Sequence, residues 1–147
     1  MIATASTPEK RQLALDLGAD VAVDVSGLDD AAAVRDALRE ANGGRGVDVV
    51  LEMTGGPVFD GSLAALAPFG RVAVFGMAGR VPPAPVQVPS LMARSTSVVG
   101  FWLVHVLRRH GGLRPAMEEP ARAGRLGWPA GGRRRRLPAR RGRPRAP

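Results

Sequence analysis

The sequence predicts a doubly wound α/β fold built on a parallel sheet, and three observations carry that prediction. Short β-like apolar runs alternate with stretches of helical periodicity from Ile2 to Leu107. The connections between them are short, as in βαβ units. Five strand-like runs fit into that length, with glycines gathered where strands end.

In chain order, Ile2-Ala3-Thr4-Ala5 is the opening strand. Ser6-Thr7-Pro8-Glu9 reads as a helix start, with a hydroxyl cap, proline in the first turn and an acid behind it. Leu13 and Leu17 share one face of that helix, and Gly18 stops it. Val21-Ala22-Val23 is a short second strand. Asp29 or Asp30 caps a second helix with Val34, Ala37, Leu38 and Ala41 as its buried stripe, and Gly43-Gly44 ends it. Val47-Asp48-Val49-Val50-Leu51 is nearly all apolar, so it is expected to be a strand buried on both faces. Phe59, Leu63 and Leu66 mark a third helix, and Arg71-Val72-Ala73-Val74-Phe75 a fourth strand. Residues 76–89 form a loop rich in glycine and proline. A fifth strand follows at Ser97-Val98-Val99-Gly100, and an apolar helix begins at Phe101-Trp102-Leu103.

Composition divides the chain in two. Its 147 residues, 45% of them apolar, are enough for one domain with a core of useful size. Residues 1–104 hold 8 Lys/Arg against 11 Asp/Glu, whereas residues 105–147 hold 13 Arg against 2 Glu. The pI of about 11.6 therefore belongs to the last quarter. Of the 37 residues from 111 to 147, 30 are Ala, Gly, Pro or Arg, too few of them apolar to offset the entropy of ordering. The expected division is a folded unit at 1–110 and a disordered basic tail at 111–147. Such a tail fits a GC-rich gene read out of frame, a disordered arm, or a patch that meets nucleic acid non-specifically through phosphate. The absence of Cys excludes disulfides and thiolate chemistry and points to a reducing, cytoplasmic setting. No signal peptide is expected, and the longest apolar run, 96–107, contains His105 and is too short to span a bilayer.

In a doubly wound sheet, ligands sit at the carboxyl ends of the strands. After the opening strand stand Ser6, Thr7, Lys10 and Arg11. Two cations in a helix's first turn oppose its dipole, which is explained by a bound anion or, more plainly, by a solvated helix face. No acid closes the strand itself to take a ribose 2′-hydroxyl, while small hydroxyls and a cation suited to a 2′-phosphate follow it. The third strand ends in Glu52-Met53-Thr54-Gly55-Gly56 and the fourth in Phe75-Gly76-Met77-Ala78-Gly79. Such glycines admit close backbone approach to a flat ligand, or simply make turns.

Together, "IATASTPEKRQLALDLGAD", "GVDVVLEMTGG", "LAPFGRVAVFGMAG" and "SVVGFWL" resemble the cofactor-binding domain of the medium-chain dehydrogenase/reductase family, nearest its quinone oxidoreductase branch, from Ile2 to Arg109. The resemblance implies an oxidoreductase that passes a hydride between NADP(H) and a small carbonyl, quinone or enone substrate, with the intact enzyme a homodimer. It implies that Ser6, Thr7 and Lys10 hold the 2′-phosphate. Thr54 and Gly55, with Phe75, Gly76 and Met77, then lie beside ribose and nicotinamide, and Phe101 and Trp102 close over the nicotinamide. It assigns no catalytic residue.

The departures from the family pattern are equally specific. No strand precedes Ile2, so the Rossmann-like sheet is expected to be incomplete. Its first strand and G-x-G-x-x-G loop are missing, and so is the catalytic domain. The neighbours of the central strand would stand about 9 to 10 Å apart, and either they pair or two inner edges lie open. His105 and His110 are read as helix surface or helix end, and with no Cys the chain cannot build the zinc site of some relatives.

Overall fold

The computed structural model describes residues 1–108 and Gly112, and the rest of the expected tail, with His110, lies outside them. The chain begins with β1 (Ile2–Ala5) and turns directly into α1 (Pro8–Asp16). Thr7 is in extended conformation and its side chain accepts a hydrogen bond from Lys10 N, while Pro8 fills the first turn, where no N–H is needed. β2 (Val21–Asp24) leads to α2 (Ala31–Ala41), and Asp30, not Asp29, is the cap, accepting from Ala33 N at 3.2 Å. β3 (Val47–Glu52), α3 (Gly56–Ala65), β4 (Leu66–Val74), α4 (Val88–Arg94), β5 (Ser97–Gly100) and α5 (Leu103–Leu107) complete the described order.

Two boundaries differ from the sequence reading. Leu66 opens β4 and does not close α3. The spacing of Phe59, Leu63 and Leu66 suits a helix face, but a fully buried first strand residue has the same signature. β4 pairs at Val47↔Leu66, resumes at Val49↔Arg71, and passes between them through Phe69 in the left-handed region, φ 63°. The second difference is α4, within a stretch that had no helix assigned to it. Pro89, the last residue of the expected loop, occupies its first turn, where proline is tolerated.

Every strand pair is parallel, yet the strands form two sheets, β1-β2 and β3-β4-β5. β1 and β3 share no ladder, so of the two arrangements expected at the sheet centre, open inner edges is the one observed. Helix packing joins the sheets instead. Val34 and Leu38 of α2 bury against Ala65, with Ile2 of β1 and Val47 of β3 packed onto them. Val47 also touches the second cluster, Phe59, Leu66 and Val72, which runs on into Val50, Val74 and Val98. α2 and α3 approach closely at Gly61, where an added Cβ would lie 2.5 Å from Val34 Cβ and 2.6 Å from the Ala31 carbonyl oxygen.

β3 is not buried on both faces. Val50 and Glu52 turn inward, but Val49 is 60% and Leu51 73% exposed. The core built by α2 and α3 takes in Val47 and Val50 of this strand and leaves Val49 and Leu51 exposed. Leu13 and Leu17 of the first helical segment are likewise exposed.

This packing sets how the fold should respond to substitution. Leu66→Ala should cost about 2–5 kcal/mol, and Gly61→Ala on the order of 1–3 kcal/mol by forcing α2 from α3, both read as lower urea midpoints. The open edges and the bare face of β3 should drive concentration-dependent self-association. Leu51→Lys is expected to reduce it in light scattering, and an unchanged scattering curve would count against the exposed face as its source.

Candidate functional site

The carboxyl end of β1 carries the first group of site residues. Thr7 Oγ1 accepts from Lys10 N at 3.4 Å, so this hydroxyl is engaged as the helix cap. The Glu9 carboxyl is held below its ordinary range, first by its own backbone N–H and then by the Thr7 hydroxyl. The amide end of α1 is thus served by the chain itself. Arg11 and Lys10 part company here. Arg11 Nη1 donates to the Ala5 carbonyl at 3.1 Å and lies 2.9 Å from Asp24 Oδ2, tying α1 to both strands of its sheet. The Lys10 ammonium and the Ser6 hydroxyl make no ion pair or hydrogen bond among the described residues.

The second group forms where β3 and β4 end. Phe75 N donates to the Glu52 carbonyl at 3.0 Å, Ala78 N to Met53 O at 2.6 Å and Gly79 N to Thr54 O at 2.8 Å. Gly55 adds an isolated bridge to Val81. The loops 53–56 and 75–81 are therefore laced along their length. Gly55 has φ +84°, and a Cβ there would meet Val81 O at 2.8 Å and Met77 Cγ at 2.9 Å, so only glycine fits. Phe101 N donates to the Val74 carbonyl at 2.8 Å, which sets the end of β5 beside Phe75. Phe75, Met77, Phe101 and Trp102 all remain substantially exposed.

Backbone bonds, with the close approaches at Gly55 and Gly76, bring Thr54, Gly55, Phe75, Gly76, Met77 and Phe101 into one strand-end region, and Trp102 follows Phe101 in the chain. Ser6, Thr7 and Lys10 stand at the carboxyl end of the other sheet, and no hydrogen bond links the two groups among the described residues. Sequence reasoning assigned no role to Glu52. It is 3% exposed, and its carboxylate accepts from Thr54 N at 2.7 Å and from Gly55 N at 3.2 Å. The available signal was an acid closing a mostly apolar strand just before Thr54 and Gly55.

Residues 1–119 match the family of zinc-binding dehydrogenases. The chain belongs to that family. Within it, the rat quinone oxidoreductase-like protein 2 is 36% identical over 104 residues, covering 69% of this chain and 28% of the relative. A 2-haloacrylate reductase of Burkholderia is 39% identical over 81 residues, 55% of this chain and 23% of that protein. Among solved structures, a mycobacterial protein complexed with NADPH superposes with TM-score 0.71 at 36% identity, over 85% of this chain and 38% of that one. The quinone oxidoreductase of Thermus thermophilus, solved alone and with NADPH, gives TM-score 0.61 at 37% identity, over 80% and 34%. The chain thus spans little more than a quarter of the length of the rat relative.

The residues present do not fit the metal in the family's name. The sequence has no Cys, and no group of three His, Cys, Asp or Glu among the described residues could hold an ion. His105 lies exposed on α5. Among the described residues no helix is long and apolar enough to cross a membrane.

The ties at the end of β1 make a pH prediction. The Asp24 carboxyl is held below its ordinary range by the Ser26 hydroxyl, then by Ser26 N–H, with Arg11 adding to it. Its folded value is the lower one, so its stabilisation is present above the unfolded value of about 3.9 and is lost as pH falls through the folded value. Asp24→Asn should flatten that acid limb in denaturation measured between neutral and strongly acidic pH.

Proposed function

We propose that this chain is the NADP(H)-binding unit of a zinc-independent, quinone-oxidoreductase-like dehydrogenase, and that the intact enzyme passes a hydride between nicotinamide and a small carbonyl, quinone or enone substrate. One observation carries the cofactor choice. At the end of β1, where a ribose-binding acid would stand in an NAD site, the groups left without partners among the described residues are the Ser6 hydroxyl and the Lys10 ammonium. The NADPH complexes of the mycobacterial and Thermus relatives support the same reading.

The residues suit such a cofactor. Lys10 and Ser6 would take the 2′-phosphate, with Thr7 holding the helix start beside it. Thr54 and Gly55 would face the ribose, and the close approaches at Gly55 and Gly76 leave a floor without side chains for a flat group. Phe75, Met77, Phe101 and Trp102 would shield the nicotinamide from water. The bound cofactor supplies the hydride chemistry, and these residues bind and orient it. None of them is a general acid or base, so the chain alone is proposed to bind cofactor without turning over substrate.

The test is isothermal titration with NADPH and NADH. NADPH should bind more tightly, and Lys10→Ala should remove roughly tenfold, about 1.4 kcal/mol, of NADPH affinity with little change for NADH. Equal affinity of the parent chain for the two cofactors would overturn the assignment.

A further inference from the structure

We propose that Glu52 is the positioning residue of the two cofactor-facing loops, holding 53–56 in shape so that 75–81 can be laid upon it; the inference deepens the cofactor reading above and rests on it. The carboxylate is 3% exposed and takes part in no ion pair among the described residues. A buried charge is costly unless it is hydrogen-bonded. Its side-chain partners are two backbone amides, Thr54 N at 2.7 Å from Oε1 and Gly55 N at 3.2 Å from each oxygen. An apolar side chain would close strand β3 at less cost, so what this acid contributes lies in those amides.

Gly55 is also the N-cap of α3, and no side chain of its own caps that helix. A buried amide at this point would otherwise be an orphan donor. The Glu52 carboxylate takes it from the strand side, and this fixes the Gly55 backbone at φ +84°. That turn aims the Met53 and Thr54 carbonyls at Ala78 N and Gly79 N and sets Gly55 against Val81. Phe75, Gly76 and Met77 are thereby held in place by a residue that need not touch the cofactor.

The experiment combines amide hydrogen exchange with cofactor titration on the full chain and its Glu52→Ala and Glu52→Gln variants. In Glu52→Ala, exchange at Thr54, Gly55, Ala78 and Gly79 should rise about tenfold or more while Val34 and Leu38 keep their protection. Affinities for NADPH and NADH should fall together by about tenfold, leaving their ratio unchanged, in contrast to Lys10→Ala. Glu52→Gln keeps an acceptor oxygen and should stay within about threefold of the parent. Wild-type exchange at Ala78 and Gly79 with wild-type affinity in Glu52→Ala would overturn the proposal. So would uniform loss of protection that includes Val34 and Leu38 in both variants, because that marks a residue of the fold at large. Should Glu52→Ala not fold, Glu52→Asp, one methylene too short for both amides, takes its place and is judged by the same exchange and affinity criteria. If the parent chain binds neither cofactor, the cofactor reading fails, and the exchange pattern still decides whether Glu52 holds the loops.

Discussion

The packing of α2 against α3 is the contact on which the rest of the molecule depends. β1 and β3 exchange no backbone hydrogen bonds, so the two parallel sheets have no ladder in common. What joins them is Val34 and Leu38 seated on Ala65, with Ile2 and Val47 packed onto the same cluster. Gly61 makes this possible, because any larger residue would meet Val34 before the helices reached contact distance. A chain that relies on side-chain packing where a continuous sheet would use a ladder has less redundancy, since losing a few buried contacts separates both halves.

The candidate site inherits that dependence. The proposed 2′-phosphate group lies at the end of the β1-β2 sheet, and the proposed nicotinamide floor at the end of the β3-β4-β5 sheet. A ligand long enough to touch both would bind only while the helical joint keeps them in register. It would also stabilise that joint by mass action, because it favours the assembled form over any in which the halves part.

Within each half the backbone is tied down locally, but by charges of opposite sign. At the end of β1 the architectural charge is a cation: Arg11 bonds Ala5 and Asp24, and the side chain of its neighbour Lys10 makes no bond among the described residues. At the end of β3 it is an anion: Glu52 gathers the amides of the turn, and the neighbouring loop is laced onto it. In both places a charged residue one or two positions from the candidate site makes the local bonds, and Lys10, Phe75, Phe101 and Trp102 stay exposed.

Much of this was legible in the sequence wherever the cause is local. The strand at Ile2–Ala5, the Thr7 cap with Pro8 behind it, the glycines that end α2 and the strand at Ser97–Gly100 follow from propensity and chain-neighbour hydrogen bonds, which act over three or four residues. The order of the strand ends was legible for the same reason. Long-range contacts decided the rest. Apolar composition alone made Val49 and Leu51 look buried, but burial needs a partner layer, and the core built by α2 and α3 takes in Val47 and Val50 instead. Leu66 fits a helix face by spacing and joins a strand because its core neighbours Phe59 and Val72 demand it there. Lys10 and Arg11 are equivalent cations in sequence, and only the bonds of Arg11 to the Ala5 carbonyl and to Asp24 of the next strand tell them apart. Glu52 is a surface-type residue by composition, and it became an interior acceptor because the tertiary turn brought two amides to it where water could not reach.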